Sequence, residues 1–283
     1  MKKKRILCAL VLVVCFSSCA RYDDENDFRI APVDDSKSAV ITRYVGNKQI
    51  VNIPPRIGGI RITGIGEDAF SGTELVGVTV PKSVTSIGNG AFLECSNLTS
   101  ITIPSSVISI GEAAFLKCSN LTSITIPSSV TSIGEAAFSG CESLTSITIP
   151  SSVTSIGAGT FSVCKSLTSV TIPGGVTSIG ENAFLGCESI TNITIPSGVT
   201  SIGFQAFAYC TGLTSITIPS SATSVGGHAF SYWTSSQTIN VEGHANQQAA
   251  DAAWGREWRT ELYRRSSGTV ETDISARINY RGR

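Results

Sequence analysis

Six cysteines recur at intervals of 23 residues, and the thiol is the side chain here with the widest chemical repertoire. They are Cys95, Cys118, Cys141, Cys164, Cys187 and Cys210. Metal binding needs convergent ligands at short spacings, and the sequence has no such set. Coils stacked at about the 4.8 Å strand spacing would hold these side chains parallel, which suits the disulfide dihedral angle poorly. We therefore predict a buried thiol ladder that acts as small apolar filler.

The other residue types that could do chemistry form no recognisable site. The two histidines, His228 and His244, accompany no nucleophile motif, and a general base needs a partner within hydrogen-bond reach in a pocket. Serines are abundant because they repeat, so no single serine is distinguished from the rest. The glycines also repeat, which differs from a phosphate-binding loop. The sequence therefore predicts no catalytic residue, no metal site and no cofactor, and we expect that the protein is not an enzyme.

The same 23-residue period governs proline, glycine and phenylalanine. The columns contain prolines 81, 104, 127, 150, 173, 196 and 219, glycines 88, 111, 134, 157, 180, 203 and 226, and phenylalanines 92, 115, 138, 161, 184, 207 and 230. An earlier, degraded copy supplies Pro54, Gly66 and Phe70. A fixed period of this length is typical of a solenoid, in which each coil buries its apolar residues only against its neighbours. We count about eight coils.

Within a coil, two-residue alternation predicts a short strand. Leu98, Ile101 and Ile103 should point inward while Ser100 and Thr102 point outward. This pattern places the polar positions of every coil on one outer face.

The remainder of the coil is expected to close the circuit. Pro104 ends the first strand because it has no N–H to donate, and Val107–Ile110 forms a second strand-like segment. Gly111 permits the turn, and Glu112–Phe115 is predicted to form a single helical or 3₁₀ turn whose Phe115 fills the coil interior. The predicted fold class is a β-rich, leucine-rich-repeat-like solenoid of 23-residue coils, with two short strands and a short helical turn in each.

The coil resembles the BspA-like leucine-rich repeat family, whose repeat reads roughly Leu-x-x-Ile-x-Ile-Pro-x-x-Val-x-x-Ile-Gly-x-x-Ala-Phe-x-x-Cys. The resemblance covers residues 40–260 and implies a solenoid at 39–238 followed by a C-terminal cap at 239–264. Gln247–Arg264 can form an Ala-rich helix with Trp254 and Trp258 on one face, covering the last coil. An alternative is that these tryptophans line a ligand site. Members of the family are surface proteins, and some are adhesins that bind host matrix proteins or other bacteria.

The N-terminus predicts export and lipidation. Residues 1–18 combine a basic start, an apolar run from Ile6 to Phe16 and small residues, which is the pattern of a signal peptide. Phe16-Ser17-Ser18-Cys19 resembles a bacterial lipobox, which implies that Cys19 becomes the lipidated N-terminus at the outer membrane or cell surface. The alternative is ordinary cleavage with Cys19 incidental. Residues 19–38 are predicted to be the lipidated cysteine and a flexible linker. The acidic residues of this linker resemble a surface-export signal. The alternative is that they simply form a soluble spacer.

The C-terminal residues 265–283 are predicted to be a polar, basic tail. Their arginines are Arg265, Arg277, Arg281 and Arg283. A solvated tail is the preferred interpretation, and an extra strand is the alternative.

The surface pattern indicates the binding function. The formal net charge is zero and 15% of residues are charged, which argues against nucleic acid as a partner. The candidate binding residues on the outer strand face are Thr102, Thr125, Thr148, Thr171, Thr194 and Thr217. Phe204 and Tyr209, with Tyr232 and Trp233, are the few aromatic anchors and predict a protein-binding hot spot near the C-terminal end.

Three functional hypotheses follow. The first is adhesion to a host matrix protein, a bacterial surface protein or a glycan, with membrane contact only through the lipid anchor. The alternative is a structural spacer or envelope component without a specific ligand, since Ser and Thr simply suit exposed strand positions. A face that binds ice or crystals is a third hypothesis, which the tether and the expected curvature disfavour.

Overall fold

The chain folds as a β-solenoid, as the repeat predicts, with about nine turns instead of the eight counted from the sequence. The computed structural model describes residues 22–33, 37–265, 268–273 and 275–282. The strands are β1 (Phe28–Val33), β2 (Ser38–Tyr44), β3 (Ile50–Asn52), β4 (Arg56–Ile57), β5 (Ile60–Ile65), β6 (Gly77–Thr79), β7 (Ser86–Ile87), β8 (Ser100–Thr102), β9 (Ser109–Ile110), β10 (Ser132–Ile133), β11 (Ser146–Thr148), β12 (Ser155–Ile156), β13 (Ser169–Thr171), β14 (Ser178–Ile179), β15 (Ser201–Ile202), β16 (Ser215–Ile218), β17 (Ser224–Val225), β18 (Thr238–Glu242), β19 (Thr260–Arg265), β20 (Gly268–Asp273) and β21 (Arg277–Arg281). The helix α1 spans Gln247–Trp254, and 3₁₀ turns span Glu25–Asp27 and Glu257–Arg259.

Two columns of parallel strands form the two broad faces of the solenoid. The threonine face contains β3, β6, β8, β11, β13, β16 and β18, and isolated bridges at Ser123 and Asn192 continue it. The second face contains β5, β7, β9, β10, β12, β14, β15 and β17. Pairing is offset by one repeat, so that Ser155 lies beside Ser178 and Ser178 beside Ser201. Each side chain therefore stacks on its equivalent in the next coil.

The predicted alternation of inward and outward residues is confirmed. Leu98, Ile101 and Ile103 are buried, while Ser100 and Thr102 are exposed. Each fully buried aliphatic side chain contributes about 1.5–3 kcal/mol of apolar burial. No coil could hold this interior dry alone, so folding depends on stacking.

A column of phenylalanine rings runs along the axis. Neighbouring rings from Phe70 to Phe230 stack with centroids 5.1–5.9 Å apart. Tyr44 extends the stack at the N-terminal end, 5.4 Å from Phe70. Trp258 closes it at the other end, edge-on to Phe230 at 6.5 Å. The cap residues therefore continue the packing of the interior, and every phenylalanine ring of this column is buried.

The segment predicted as a helical turn is built from consecutive turns instead of a 3₁₀ helix. Two residues in each coil take positive φ, such as Ala113 at 52° and Lys117 at 59°. The first left-handed column contains Asp68, Gly90, Ala113, Ala136, Gly159, Asn182, Gln205 and His228. The second left-handed column contains Gly72, Glu94, Lys117, Gly140, Val163, Gly186, Tyr209 and Tyr232. Few of these positions are glycine, so the left-handed backbone could not be predicted from the residue types.

The repeated glycine at position 111 and its equivalents has a different role from the one predicted. Gly111 does not have positive φ. A Cβ at Gly111 would lie 2.6 Å from the backbone nitrogen of Asn89 and from the carbonyl carbon of Gly88. Glycine is needed there because the backbones of neighbouring coils approach closely.

The predicted flexible linker at 19–38 is wrong for residues 22–33. Asp23 accepts a hydrogen bond from the Asn52 backbone N–H at 2.6 Å and donates its own N–H to the Asn52 carbonyl at 3.0 Å. β1 pairs antiparallel with β2, and Phe28 is buried against Tyr44. This stretch reads as polar, but alternate apolar residues let it cover the first coil.

The C-terminal cap is confirmed, but its helix is shorter than predicted. α1 ends at Trp254 because Gly255 adopts a φ of 80°. Trp254 and Trp258 are buried and pack edge-on at 5.4 Å. Asp251 accepts hydrogen bonds from the Trp258 indole N–H and the Arg259 guanidinium, both at 3.1 Å. The two tryptophans therefore cover the last coil instead of lining a ligand site.

The solvated tail predicted at 265–283 is wrong for residues 277–281, where the alternative of an extra strand is correct. β21 pairs in parallel with β18, placing Ile278 beside Ile239 and Asn279 beside Asn240. β19 and β20 form an antiparallel hairpin. In β21 polar and apolar residues alternate, and this segment forms a strand because the last coil has an open strand edge at β18.

The cysteine ladder is present as predicted, with all six thiols free and buried. From Cys118 onward each Sγ donates to the carbonyl of the phenylalanine 26 positions earlier, at 3.1–3.2 Å. Trp233 replaces the cysteine in the final coil, and its indole N–H donates to the equivalent carbonyl, Phe207, at 2.9 Å. Burial raises the pKa of Cys141 and Cys187 from 9.0 to about 12. The ladder is structural and chemically quiet at neutral pH.

We expect Gly111→Ala to destabilise the solenoid by about 1–3 kcal/mol, because the new methyl group would push the coils apart. Gly174→Ala is the matched control, since a Cβ there meets nothing within 4 Å. Its effect should stay within about 0.5 kcal/mol. Urea denaturation of the two variants measures the difference, and equal midpoints would contradict the close-approach explanation.

We expect stability to fall as the pH rises above about 9. Below pH 9 the thiols are protonated in both the folded and the unfolded chain, so their raised pKa does not change the free energy of unfolding. Between pH 9.0 and about 12, Cys141 and Cys187 ionise only in the unfolded chain. Each thiol therefore lowers the free energy of unfolding by about 1.4 kcal/mol per pH unit. Urea midpoints measured from pH 7 to 10.5 test this, and Cys141→Ala should show a shallower decline. A slope unchanged in that variant would refute the assignment.

Candidate functional site

The described residues contain no cluster of three or more His, Cys, Asp or Glu side chains that could hold a metal ion. His228 is buried, and its Nδ1 lies 3.0 Å from the Thr260 carbonyl oxygen. His244 packs edge-on against Trp254 at 4.6 Å. Both histidines therefore belong to the packing of the C-terminal cap.

The threonine face carries a regular row of hydroxyl groups at the predicted residues. Thr102, Thr125, Thr148, Thr171 and Thr194 are exposed, and Thr217 is half-buried beneath the cap strand. A second row runs parallel to it through Ser100, Ser123, Ser146, Ser169, Asn192 and Ser215. Equivalent residues stand about 4.8 Å apart between coils and about 7 Å apart along a strand. The face is an uncharged lattice of small polar groups.

These hydroxyl groups differ from another threonine row beside them. Thr99, Thr145 and Thr168 each donate to a backbone carbonyl of the preceding coil, at 3.0–3.2 Å. Within the described part of the chain, the Thr102 row makes no such hydrogen bond. These exposed hydroxyl groups can therefore donate hydrogen bonds to a ligand and accept hydrogen bonds from it.

A shallow depression of about 210 Å³ lies on the threonine face between two coils. Its polar rim is formed by Ser169, Thr171, Asn192 and Thr194. Strand pairing there is reduced to a single bridge between Ser169 and Asn192. Of the predicted row, Thr171 and Thr194 are therefore the residues that the structure places at a concavity.

The second face has hydroxyl ladders that sequence reasoning missed. Thr177, Thr200 and Thr223 are exposed, and each donates to the carbonyl of the equivalent residue one coil earlier at 3.1–3.3 Å. Ile108, 52% exposed, interrupts the column. The signal was the repeated Thr before Ser-Ile, but only the structure reveals that its hydroxyl is already used.

The charges of the repeats lie on the edge that carries the turns. Lys117 pairs with Glu94 at 2.7 Å and Lys165 with Glu142 at 3.0 Å, in each case across adjacent coils. All four side chains are exposed, and such pairs add little stability. Between Ser96 and Phe230, the strands of the two broad faces contain no charged residue.

The four aromatic residues of the predicted hot spot do not form one exposed cluster in the structure. Trp233 is fully buried. Tyr209, 40% exposed, stacks on Tyr232 with ring centroids 3.7 Å apart. Phe204 is 36% exposed and packs edge-on against His228 at 5.5 Å. Tyr209 and Tyr232 lie in the second left-handed column, on the turn edge and away from the threonine face.

The N-terminal end has a polar hollow of about 500 Å³ lined by Tyr22, Asp23, Asp24 and Lys48. The Lys48 ammonium pairs with Asp23 at 2.6 Å, and this hydrogen bond raises the pKa of Lys48. The predicted signal peptide, residues 1–18, and the predicted lipidation site, Cys19, lie outside the described residues. None of the described helices is long and apolar enough to cross a membrane.

Known proteins resemble the chain in both sequence and structure. The BspA-type leucine-rich repeat region matches in six copies, over residues 63–189 and 131–252. A leucine-rich repeat protein from T. pallidum is 34% identical over 68% of this chain and 91% of its own, with a TM-score of 0.64. A leucine-rich cell surface protein from Faecalibacterium prausnitzii is 32% identical over 80% of this chain and 72% of its own, with a TM-score of 0.66. No curated protein matches significantly.

A third solved structure agrees with these. A leucine-rich repeat protein from Bacteroides ovatus is 29% identical over 80% of this chain and 66% of its own, with a TM-score of 0.61. The family model covers most of the coils whose stacking is described above. Its matched ranges include the strands from β6 to β18, the phenylalanine column and the cysteine ladder. The chain belongs to the BspA-type leucine-rich repeat family, whose members are bacterial surface proteins that generally act as protein-interaction modules.

Proposed function

We propose that this protein is a lipid-anchored cell-surface module that binds a protein or glycan through the threonine face. The observation that carries the proposal is the row of hydroxyl groups from Thr102 to Thr217, which form no hydrogen bond with another described residue. A purely structural row would be expected to use its hydroxyls as the Thr99 row does, by bonding the neighbouring coil. Groups held in a fixed lattice lose little freedom when a ligand binds.

The site of closest engagement is the depression between Thr171 and Thr194. Its polar rim can both donate and accept hydrogen bonds, and the buried Val170 and Ile193 give it a partly apolar floor. A ligand held there gains orientation from side chains that stand on paired strands instead of a loop. The binding requires no metal and no cofactor, and the uncharged face suits a neutral partner better than nucleic acid.

The Thr148→Lys/Thr171→Lys double variant should weaken ligand binding at least tenfold, because two long charged side chains would cover the lattice. Thr154→Lys is the matched control, since Thr154 is exposed in the same region but lies on the second face. Capture of the full mature chain by a panel of immobilised matrix proteins and glycans measures binding. Thermal melts check that all the variants remain folded. Equal loss in the control would refute the assignment to the threonine face.

The competing function is an ordered spacer. It is favoured by the continuous stack of rings from Phe70 to Phe230, which makes the solenoid stiff along its axis. Nine coils at about 4.8 Å would hold a tip roughly 40 Å from the anchor. The spacer hypothesis replaces adhesion if the wild-type chain captures nothing on the panel but its function in cells depends on the length of the solenoid.

Lipid attachment at Cys19 is part of the proposal. The short apolar run of the leader and the small residues before Cys19 support it, and two acyl chains or more give stable anchoring. Cys19→Ser should abolish incorporation of labelled palmitate and release the protein from the membrane fraction. Cys15→Ser is the control and should leave the label in place. Label retained in Cys19→Ser would contradict the assignment.

Surface display is supported by the cell-surface description of the F. prausnitzii relative. Protease treatment of intact cells should release peptides from residues 96–230, identified by mass spectrometry. Complete protection, with the protein present in lysates, would place the solenoid in the periplasm and favour the spacer function.

A further inference from the structure

The N-terminal end of the solenoid carries exposed apolar side chains. The described chain has six exposed large hydrophobic residues, and three of them lie at this end: Tyr22, Val45 and Ile50. Val45 and Ile50 lie on either side of Lys48 in sequence, and Tyr22 borders the same hollow as Lys48. We call these three side chains the N-terminal apolar patch. The cap that covers the first coil therefore leaves apolar surface of its own exposed.

The hollow beside this patch contains both signs of charge. Tyr22, Asp23, Asp24 and Lys48 line it, and its volume of about 500 Å³ lies within the range typical of small-ligand sites. The Lys48 ammonium has three N–H donors and gives one to Asp23. Asp24 Oδ1 accepts from Asn26, whereas its Oδ2 bonds no described residue. The hollow therefore offers donors to an anionic group and an acceptor to a cationic one.

Covalent geometry limits how far this end can lie from Cys19. Three peptide units join the Cα atoms of Cys19 and Tyr22, and they span at most about 11 Å. The next residue, Asp23, is held to the first coil by two hydrogen bonds with Asn52. A lipid on Cys19 therefore brings the patch and the hollow within reach of the membrane headgroups.

We propose, on the basis of the lipid attachment at Cys19 proposed above, that the hollow binds a zwitterionic phospholipid headgroup and that the N-terminal apolar patch contacts the bilayer. The Lys48 ammonium donates to the headgroup phosphate, and the Asp24 carboxylate pairs with the headgroup cation. Tyrosine is enriched at membrane interfaces because its ring is apolar and its hydroxyl is polar, which suits Tyr22. Membrane contact then extends beyond the lipid anchor, and the solenoid docks end-on.

The observations favour a lipid surface over a second copy of this chain. Three side chains offer too little area for a stable protein interface, which buries about 800 Å² on each partner. Lipid anchors also gain stability from a second contact with the membrane. Asp23 and Asp24 disfavour an anionic lipid, because its headgroup has no cation to face their carboxylates. The ligand class is therefore zwitterionic.

The test couples residues 19–283 through the Cys19 thiol to a maleimide lipid in vesicles, so that anchoring does not depend on lipidation in the cell. The six cysteines of the repeats are buried and should not compete. Tyr22→Trp adds an indole to the patch, and brominated phosphatidylcholine in the vesicles quenches indoles that lie close to the bilayer. The native tryptophans are buried roughly 40 Å away at the C-terminal end, so the wild-type chain is the matched control.

The added indole of Tyr22→Trp should lose at least half of its fluorescence on these vesicles, and the wild-type chain should be unaffected. Ile50→Asp in the same background should at least halve this quenching, because a carboxylate resists entry into the interface. Ile108→Asp is the matched control, since Ile108 is also exposed but lies on the second face. It should leave the quenching unchanged.

The headgroup site is tested separately from the apolar contact. Lys48→Gln in the Tyr22→Trp background should weaken quenching on phosphatidylcholine, because the phosphate loses its cationic donor. Quenching should also be weaker on vesicles of brominated phosphatidylglycerol, and Asp24→Asn should remove most of that difference. Thermal melts check that all the variants remain folded.

Four outcomes would overturn the inference. The first is an added indole that stays unquenched on the coupled vesicles. The second is quenching of the native tryptophans, which would show that the solenoid lies along the bilayer. The third is a preference for phosphatidylcholine that survives both Lys48→Gln and Asp24→Asn. The fourth is a concentration-dependent dimer in analytical ultracentrifugation that Ile50→Asp abolishes, which would identify a second copy as the occupant. Failure of lipid attachment at Cys19 is measured independently, by palmitate labelling.

Discussion

Stacking of each coil on the next is the constraint on which the rest of this molecule depends. A 23-residue coil has an interior one side chain thick, so its apolar residues leave water only when a neighbour covers them. In-register strand pairing aligns equivalent positions of neighbouring coils, and the rings from Phe70 to Phe230 stack on one another as a result. The close approach of the backbones at Gly111 and most of its equivalents, with Gly157 as the exception, sets how tightly the coils can stack. The thiol ladder fills the space that remains and satisfies the phenylalanine carbonyls.

A stack of coils has two open ends, and both are closed by sequence that departs from the repeat. Phe28 and Tyr44 cover the first coil, and Trp254 and Trp258 cover the last. The exposed strand edges carry features that discourage pairing with another chain: β1 contains Pro32, and the outer strand β21 carries exposed arginines. The caps therefore stop growth of the solenoid as well as drying its interior.

Because the interior fixes the fold, the outward positions are free to serve binding. Ser100 and Thr102 could be exchanged for other strand formers without disturbing Ile101 beneath them. The repeated choice of small hydroxyl residues leaves a flat face, while the charge pairs between Lys117 and Glu94 and between Lys165 and Glu142 lie on the turn edge. The coils differ from one another at Asn192 on the threonine face and at the stacked Tyr209 and Tyr232 on the turn edge.

The sequence by itself determined the period, the inward and outward residues, the buried thiols and the polar face, because a repeated apolar pattern admits one way of stacking. It could not determine what happens where the repeat ends. Residues 22–33 and Arg277–Arg281 read as polar segments, and only the open edges beside them supplied strand partners. The sequence also could not separate the threonines that bond the backbone from those that do not, since Thr99 and Thr102 differ only in their position relative to the preceding coil. Those decisions belong to tertiary structure because they depend on which backbone atoms a neighbouring coil brings within hydrogen-bonding distance.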